Sequence, residues 1–348
     1  MNEIKIGKKT VGQNFPCLIC FEPSSTYSSV KEAKEMIHAS ALAGADAVKF
    51  QTFITGEADR MMGKRDITVN FTTASGKKQE LVHEALKRKE LSKDEWKELV
   101  AYAKELDLIF ITSAYFPETI DFIAEIGVDA IKVSKGDVNN VLLVEKMAEK
   151  NIPIIIDGRE KFEDVEHDIK ICQEQGNNQI MIMHCPSGYP AENSGVHLSA
   201  LTEIQNRFEF PIGFADHSPG SKMNFAAIAL GAKILEVTIT PNKNIEHVEH
   251  FMSLELDELK EFVTNVRAVE QAIGTPEILN LSRVEESVRR SLVAKSDIKS
   301  GQQITKEVID FQRPGDEGIS CADGFKVLQK KASVDIAKGT FLKWEMLD

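Results

Sequence analysis

The sequence predicts a (β/α)8 barrel followed by a small β-rich domain, and three observations lead to this prediction. Apolar strand-like runs alternate with helix-like segments through residues 1–274, and charged side chains recur where these runs end. Such alternation is typical of parallel α/β folds, whose functional groups gather at the carboxyl ends of the strands. The length of 348 residues suits a barrel of about 250 residues plus an appended domain.

Eight runs have the length and composition of buried parallel strands. They are residues 16–22, 47–51, 108–112, 130–134, 153–157, 179–184, 211–215 and 234–238. Helix signals stand between them, such as the capping box that Ser92 forms with Glu95 and the proline at Pro117, which is tolerated in a first helical turn. Helices are predicted at residues 30–42, from 92 to about 106, from 117, and at 141–149, 163–175, 198–207, 223–230 and 255–273.

The stretch 52–75 has no clear periodicity and is polar. A long segment of this kind inside a compact α/β domain is more often an active-site loop than a spacer. We therefore predict that it helps to shape the binding pocket, together with Thr26 and Tyr27 after the first strand.

The barrel pattern ends at Gly274, and the polar stretch 275–288 has the composition of a linker. Residues 289–348 contain short apolar runs separated by glycines, as in a small β-rich domain. A domain of this size with few large apolar side chains buries little surface by itself. We expect it to dock on its own barrel or on that of a partner.

Charge and composition exclude several classes of partner. The net charge of −12 argues against nucleic acid, because binding to phosphates needs a basic face. No apolar run approaches 18 residues, so a membrane-spanning helix is not expected. The odd number of cysteines, five, and the lack of a leader-like amino terminus predict a reducing, cytoplasmic location.

Charged residues stand at the predicted strand ends. These are Glu22, Lys49, Lys132 with Lys135 and Asp137, Asp157 with Arg159, His184, Asp216 with His217, and Glu236. In a barrel the strand ends meet at one face, so these groups are expected to surround one site. Helix capping or structural ion pairing is the alternative for each of them.

Several longer motifs resemble the sialic acid (N-acetylneuraminate) synthases. The motifs are VKFQ at 48–51, HCPSGYP at 184–190, GFADHSPG at 213–220, LGA at 230–232 with Glu236, RSLVA at 290–294 and RPG at 313–315. The resemblance covers nearly the whole chain and implies an enzyme that joins phosphoenolpyruvate to an N-acylated amino-hexose. It also implies that the last residues form an antifreeze-like (beta-clip) domain that reaches across a homodimer to the partner's barrel.

The resemblance implies roles for individual residues. Catalytic roles go to Glu22, Asp137, Asp216 and Glu236, and substrate contacts go to Lys49, Lys132, Ser187, Tyr189, Glu249 and Arg313. Two lysines at separate strand ends would neutralise the carboxylate and phosphate of phosphoenolpyruvate. His217 matches one of two histidines that hold a divalent metal, Mn²⁺ or Mg²⁺, which polarises the sugar aldehyde.

The sequence departs from the family pattern at several positions. Thr238 stands where the second metal-binding histidine is expected, and it is a poor ligand, so any ion would be held more weakly. Thr26 and Tyr27 replace Asn-His. Hydroxyl-bearing residues expected near the phosphate are replaced by Lys135, Asp157 and Ala215, and Arg159 follows in the same loop.

Three functions are compatible with these departures. The first is a divergent synthase for an ulosonic acid of cell-surface polysaccharide, in which Lys135 and Arg159 bind the phosphate. The second is a metal-independent aldolase or lyase in which Lys132 or Lys135 forms a Schiff base with a carbonyl substrate. The third is a non-catalytic subunit that partners an active synthase.

Overall fold

A computed structural model describes residues 2–158, 161–274 and 288–348 of the chain. The contacts between residues divide the chain into two compact units, Met1–Gly274 and Thr275–Asp348. Residues 275–287, which make up nearly all of the predicted linker, lie outside the described residues, as does Arg159. No helix among the residues that the structure describes is long and apolar enough to cross a membrane.

The first unit is the predicted (β/α)8 barrel. Its parallel strands are β3 (Leu18–Glu22), β4 (Ala47–Gln51), β9 (Ile109–Ser113), β10 (Ala130–Val133), β11 (Ile154–Asp157), β12 (Ile180–His184), β13 (Ile212–Asp216) and β14 (Ile234–Thr240). Each strand pairs with the next in this order, and pairing of β14 with β3 closes the ring. All eight strands coincide with predicted runs, because parallel strands buried on both faces carry a strong apolar signal.

Helices follow the strands and form the outer layer. They are α1 (Val30–Ala43), α4 (Lys93–Glu105), α5 (Pro117–Glu125), α6 (Val141–Ala148), α7 (Phe162–Glu174), α8 (Ser199–Arg207), α9 (Lys222–Ala229) and α10 (Leu259–Ile273). The predicted capping box is present at Ser92 and Glu95, and Pro117 opens α5. Helix α1 ends at Gly44, whose φ of 87° is the left-handed conformation that favours glycine.

The interior of the barrel is apolar at one end and charged at the other. Inward positions near the strand starts form one apolar cluster, which includes Leu18, Ile109 and Ile234. An amino-terminal hairpin, β1 (Ile4–Ile6) and β2 (Lys9–Val11), contributes apolar side chains to the same cluster. Because side chains alternate along a strand, the inward positions near the carboxyl ends are those that carry the charged residues.

Gly213 on β13 is required by close packing inside the barrel. A Cβ atom at this position would overlap Cγ2 of Ile234 and lie 3.2 Å from Cε of Met183. We expect Gly213→Ala to lower the free energy of unfolding in urea by about 1–3 kcal/mol, the usual effect of overpacking a core. Gly63→Ala is the matched control, because nothing lies within 4 Å of its added Cβ. Equal stability of the two variants would contradict the prediction.

The segment that follows β4 is not the irregular loop that the sequence predicts. It contains β5 (Phe53–Ile54), α2 (Glu57–Met61), the antiparallel pair β6 (Thr68–Thr73) and β7 (Gly76–Leu81), α3 (Val82–Lys87) and β8 (Glu90–Leu91). The β6–β7 hairpin is mostly polar and gives no clear alternation. Its fixed place comes from distant partners, such as the carbonyl of Tyr189, which accepts from the amide of Thr72 at 2.8 Å.

The second unit is a small β-rich body. Strands β15 (Ser291–Ala294) and β16 (Ile309–Gln312) pair antiparallel, and isolated bridges, such as that between Ile298 and Ile336, connect the remaining segments. A single apolar cluster fills its centre, with Leu292 and Leu342 among its buried members. Few long strands and many short bridges are the reason that only the apolar runs of this unit, and not its pairing, were predictable.

Candidate active site

A cavity of about 180 Å³ lies at the carboxyl ends of the barrel strands. Charged and polar side chains dominate its wall, as expected for this face of a barrel. The lining residues are Glu22, Lys49, Gln51, Tyr115, Lys132, Ser134, Lys135, Gly136, Asp157, Cys185, Tyr189, His217, Glu236 and Glu249. Each of the eight barrel strands thus contributes at least one lining residue, either from the strand itself or from the loop that follows it.

Two buried lysines and two buried glutamates form a continuous chain across this cavity. Lys49 donates to Glu22, and its Nζ lies 3.7 Å from Oε1 of Glu236. Nζ of Lys132 donates to the same Oε1 at 2.5 Å. All four side chains are at most 7% exposed. Buried ions of this kind are stable only when they are paired, so each lysine depends on these glutamates.

The protonation of the four groups follows from this arrangement. Burial alone would lower the pKa of Lys132, but the facing sulfur of Cys185 and the carboxylate of Glu236 outweigh it, and the pKa lies well above its ordinary value. Burial would raise the pKa of Glu22, yet Lys49 and Lys132 bring it below its usual range. For Glu236 burial prevails over both lysines and raises the pKa. Glu236 is therefore the carboxylate better suited to exchange a proton.

Glu249 occupies a strained position at another side of the cavity. Its φ of 76° is unusual for a residue other than glycine, and such strain is often found at functional sites. Its Oε2 accepts from the amide of Ser25 at 3.2 Å and from the Ser25 hydroxyl. Burial would raise the pKa of Glu249, but the ammonium of Lys89 and hydrogen bonds from Ser24 and Ser25 lower it overall. Glu249 is thus an anion held ready for a donor such as a sugar hydroxyl.

Asp216 is buried and serves the loop that carries His217. Its Oδ1 accepts from the amide of Ser218 at 2.8 Å and from the Ser218 hydroxyl at 2.7 Å, and its Oδ2 accepts from Asn224 Nδ2 at 2.5 Å. Burial raises the pKa of Asp216 to about 6. These contacts make Asp216 an anchor of the loop after β13, whereas its predicted catalytic role stays a prediction.

The raised pKa of Asp216 gives a prediction on stability. The folded state keeps the proton of Asp216 at pH values where the unfolded chain has lost it. The protonated carboxyl group therefore contributes its full stabilisation of the folded state below about pH 4, and this stabilisation is lost as the pH rises through about 6. Over this pH range we expect the free energy of unfolding to fall less in Asp216→Asn than in the wild type. The difference between the two decreases is expected to be about 2 kcal/mol. Urea unfolding at several pH values measures the slopes. The exposed Asp94→Asn is the control, and equal slopes in Asp216→Asn and wild type would contradict the prediction.

Nine of the predicted site residues line the cavity. They are Glu22, Lys49, Lys132, Lys135, Asp157, Tyr189, His217, Glu236 and Glu249. Asp137, Ser187 and Asp216 are not among the described residues that line it, Arg313 belongs to the second unit, and Arg159 is outside the described residues. Asp137 instead accepts from Nδ2 of Asn140 at 3.2 Å.

The inclusion of His184 among the strand-end groups of one site was wrong. Its Nε2 contacts the carbonyl of Val196 at 2.7 Å, and its ring packs against Phe214, which belongs to the apolar cluster between the barrel strands and the surrounding helices. The reason is parity: Met183 and Cys185 point into the barrel, so His184 between them points out.

Thr26 and Tyr27 also do not line the cavity among the described residues. Both are buried: Oγ1 of Thr26 donates to the carbonyl of Ile239 at 2.6 Å, and the Tyr27 hydroxyl donates to the carbonyl of Lys89 at 2.9 Å. Their effect on the pocket is therefore indirect.

The donor set does not fit a divalent ion held by two imidazoles. His217 lines the cavity with its ring 5.2 Å from that of Tyr189. On the neighbouring strand Val237 pairs in register with Asp216, so the residue next to His217 is Thr238. Within the described parts of the chain no group of three or more His, Cys, Asp or Glu side chains could hold a metal. A threonine hydroxyl is a weak substitute for an imidazole, because its oxygen is a poorer electron donor to a metal ion than an imidazole nitrogen.

Sequence reasoning missed several residues that shape the site, among them Gln51, Tyr115 and Lys89. Gln51 stands two positions after Lys49 and shares its face, which the alternation of a strand could have indicated. Tyr115 follows β9, and its hydroxyl donates to Oε1 of Gln51 at 3.1 Å. Lys89 lies in the segment between β4 and β9, and no pattern in the sequence pointed to it.

Comparisons with known proteins show which family the chain resembles. The chain matches the NeuB family over residues 36–277 and the SAF domain over residues 289–348. The N,N'-diacetyllegionaminic acid synthase of Legionella pneumophila is 29% identical over 351 residues, which cover 98% of each chain. The spore coat polysaccharide biosynthesis protein SpsE of Bacillus subtilis is 31% identical over 368 residues, which cover 99% of this chain and 97% of that protein.

A solved structure gives the same result for the fold. The N-acetylneuraminic acid synthetase of Leptospira borgpetersenii, solved in complex with citrate, superimposes with a TM-score of 0.71 at 25% identity and covers 82% of this chain and 95% of its own. Because the family match spans most of the barrel and the relatives align along nearly the whole chain, this protein belongs to the NeuB family and carries a SAF (antifreeze-like) domain at its carboxyl end.

Proposed function

We propose that the protein condenses phosphoenolpyruvate with an N-acylated amino-hexose, or a related aldose, to give an ulosonic acid for a cell-surface polysaccharide. The observation that carries this proposal is the pair of buried lysines, Lys49 and Lys132, which face one cavity from separate strands. Phosphoenolpyruvate has two anionic groups, and two fixed ammonium ions can both neutralise and orient it.

The chemistry would use the residues as follows. The enol carbon of phosphoenolpyruvate attacks the aldehyde carbon of the sugar, water adds to the carbon that bears the phosphate, and phosphate leaves. Glu236, whose pKa is raised by burial, would exchange the proton of the water or of the new hydroxyl. Glu22 and Glu249, which stay anionic, would accept hydrogen bonds from sugar hydroxyls. Lys135, an exposed residue of the cavity wall, would meet the phosphate in place of the missing hydroxyls, and Arg159 keeps the same role as a prediction from the sequence.

The names of the relatives support the same class of reaction. The Legionella pneumophila protein is a synthase of a diacylated acidic sugar, and the Bacillus subtilis protein is named for polysaccharide biosynthesis. The sugar that this chain accepts is part of the proposal and not of the family assignment. The cytoplasmic location, the domain-swapped homodimer and the contact of Arg313 with a partner's cavity also stay predictions.

The Schiff-base alternative is disfavoured for Lys132. A lysine that forms a Schiff base needs a lowered pKa, because only the neutral amine attacks a carbonyl. The carboxylates around Lys132 have the opposite effect and keep its ammonium protonated. The non-catalytic alternative is disfavoured because such a subunit has no need for a complete chain of paired lysines and glutamates across its cavity.

The test is an assay of phosphate release. Purified protein is mixed with phosphoenolpyruvate and a panel of N-acylated amino-hexoses, with and without Mn²⁺ or Mg²⁺. We expect phosphate and an ulosonic acid in equal amounts with at least one sugar. No phosphate and no acidic product with the whole panel would contradict the proposal. Borohydride added with a carbonyl substrate is the control for the alternative, because a covalent mass increase on Lys132 or Lys135 would favour the Schiff base.

A further inference from the structure

Lys89 is a buried lysine behind the cavity wall, to which the proposed reaction gives no role. It precedes β8 and is 6% exposed. Its Nζ donates to Oε1 of Gln51 at 2.7 Å, and no carboxylate of the described chain lies within ion-pair distance of it. A lysine far from any substrate would be expected at the surface, so a buried ammonium bonded to a neutral amide calls for an explanation.

Gln51 connects Lys89 to the cavity. Its Nε2 donates to Oγ of Ser24 at 3.2 Å and lies 3.4 Å from Oε1 of Glu22. Its Oε1 accepts from Lys89 and from the hydroxyl of Tyr115. The Tyr115 hydroxyl can donate or accept, whereas an ammonium can only donate. Lys89 is therefore the neighbour that compels the amide oxygen to face away from Glu22.

The position of Lys89 is fixed by a hydrogen bond to its own carbonyl and by the side chain of the residue before it. Its carbonyl accepts from the hydroxyl of the buried Tyr27 at 2.9 Å, and the preceding Arg88 forms two hydrogen bonds to Glu80, at 2.8 and 2.9 Å. Burial lowers the pKa of Lys89, although the carboxylates of Glu249 and Glu22 oppose this effect. The positive charge of the Lys89 ammonium also favours the anionic form of Glu249. Lys89 therefore affects both glutamates assigned to the sugar, Glu249 through its charge and Glu22 through Gln51.

We propose that Lys89 is a positioning residue for the acceptor end of the cavity, where it orients the Gln51 amide so that its nitrogen faces Glu22 and Ser24. This inference rests on the proposed function, in which Glu22 and Glu249 contact the sugar. A reversed amide would place its oxygen against the Glu22 carboxylate, and this repulsion would displace Glu22. Lys132 would still donate to Glu236, and Nζ of Lys49, which lies 3.7 Å from the same carboxylate, would keep that oxygen as its ionic partner.

Kinetics with both substrates test this role. We expect Lys89→Met to raise KM for the acceptor sugar about tenfold or more, the size of one charged hydrogen bond, and to leave KM for phosphoenolpyruvate within about twofold. Lys89→Arg, which keeps the donor and the charge, is expected to restore part of the affinity for the sugar. Lys170→Met on α7, whose side chain is 72% exposed, is the control for loss of a surface lysine. Equal increases in both KM values would overturn the proposal.

A double-mutant cycle shows whether Lys89 acts through Gln51. Gln51→Leu keeps the shape but removes the amide, so Lys89→Met is expected to have little further effect on KM for the sugar in that background. Effects that multiply would mean that Lys89 acts independently, and would contradict the proposal.

A structural readout keeps the inference testable apart from the reaction. In a crystal structure of Lys89→Met we expect the Gln51 amide to turn or move, with loss of its contact to Ser24. An unchanged amide would overturn the inference. If the wild-type protein makes no product with any sugar, the proposed function has failed, and this comparison of structures still decides the role of Lys89.

Discussion

Replacing Lys132 by methionine is expected to lower kcat/KM for the condensation by about a thousandfold or more, the upper range for loss of one group that stabilises charge in a site. Lys132 is buried, and its high pKa keeps it cationic at neutral pH. Without it, the substrate's anions would meet the carboxylates of Glu236, Glu22 and Asp157 with Lys49 as the one remaining buried cation among the described lining residues.

The loss must be separated from a loss of folding. Removing one partner of a buried pair costs about 3–5 kcal/mol when the other charge is left alone, but Nζ of Lys49 also lies 3.7 Å from Glu236, and Glu236 can take a proton. The thermal unfolding midpoint of the variant is therefore measured beside its kinetics. Lys170→Met is the control, and a folded Lys132→Met with activity within tenfold of wild type would refute the assignment.

The second large effect is expected from Thr238→His. Thr238 is 3% exposed, pairs in register with Glu22 and stands on the strand beside the His217 loop. A second imidazole at this position would complete a donor pair with His217, and imidazole binds Mn²⁺ far better than a hydroxyl does. We expect the affinity for Mn²⁺ to rise by at least about a hundredfold, since even changes beside a metal ligand alter affinity by 10–100-fold.

Metal content provides a readout that does not depend on activity. After dialysis against Mn²⁺ and then buffer, elemental analysis is expected to find about one ion per chain in Thr238→His and much less in the wild type. Thr238→Val is the matched control for a change of size without a ligand, and His217→Ala in the Thr238→His background is expected to remove the gain. Stoichiometric Mn²⁺ in the wild type would show that His217 finds other ligands and would contradict the prediction.

The sequence predicted those parts of the molecule whose signal is local. The eight barrel strands are apolar runs, and the capping box at Ser92 is a short motif, so both could be recognised without knowledge of the fold. Alternation within a strand was not applied to the charged residues at the strand ends. It is consistent with Lys49 and Glu236 on the inner face, and it would have placed His184, which has the opposite parity, outward.

The parts that were missed depend on residues far apart in the chain. The β6–β7 hairpin is polar and is held by contacts to the loops after β12 and β14, for example from Lys78 to Glu246. Lys89 belongs to no barrel strand, and it acts on the cavity only through residues that lie beside it in space, Gln51 on its side chain and Tyr27 on its backbone. No pattern of neighbouring residues in the sequence predicts such contacts between distant residues.

The sequence by itself determined the barrel, the small second body and the lysines at the strand ends, because residue type and periodicity are properties of short stretches. That Thr238 stands where a second histidine is expected came from the resemblance to the sialic acid synthases and not from periodicity. Only the tertiary structure decided that Glu236 lies between Lys49 and Lys132, that Asp216 anchors its loop, and that Lys89 orients Gln51. The physical reason is that protonation and amide orientation are set by distances between groups, and closure of the barrel brings residues more than a hundred positions apart into contact.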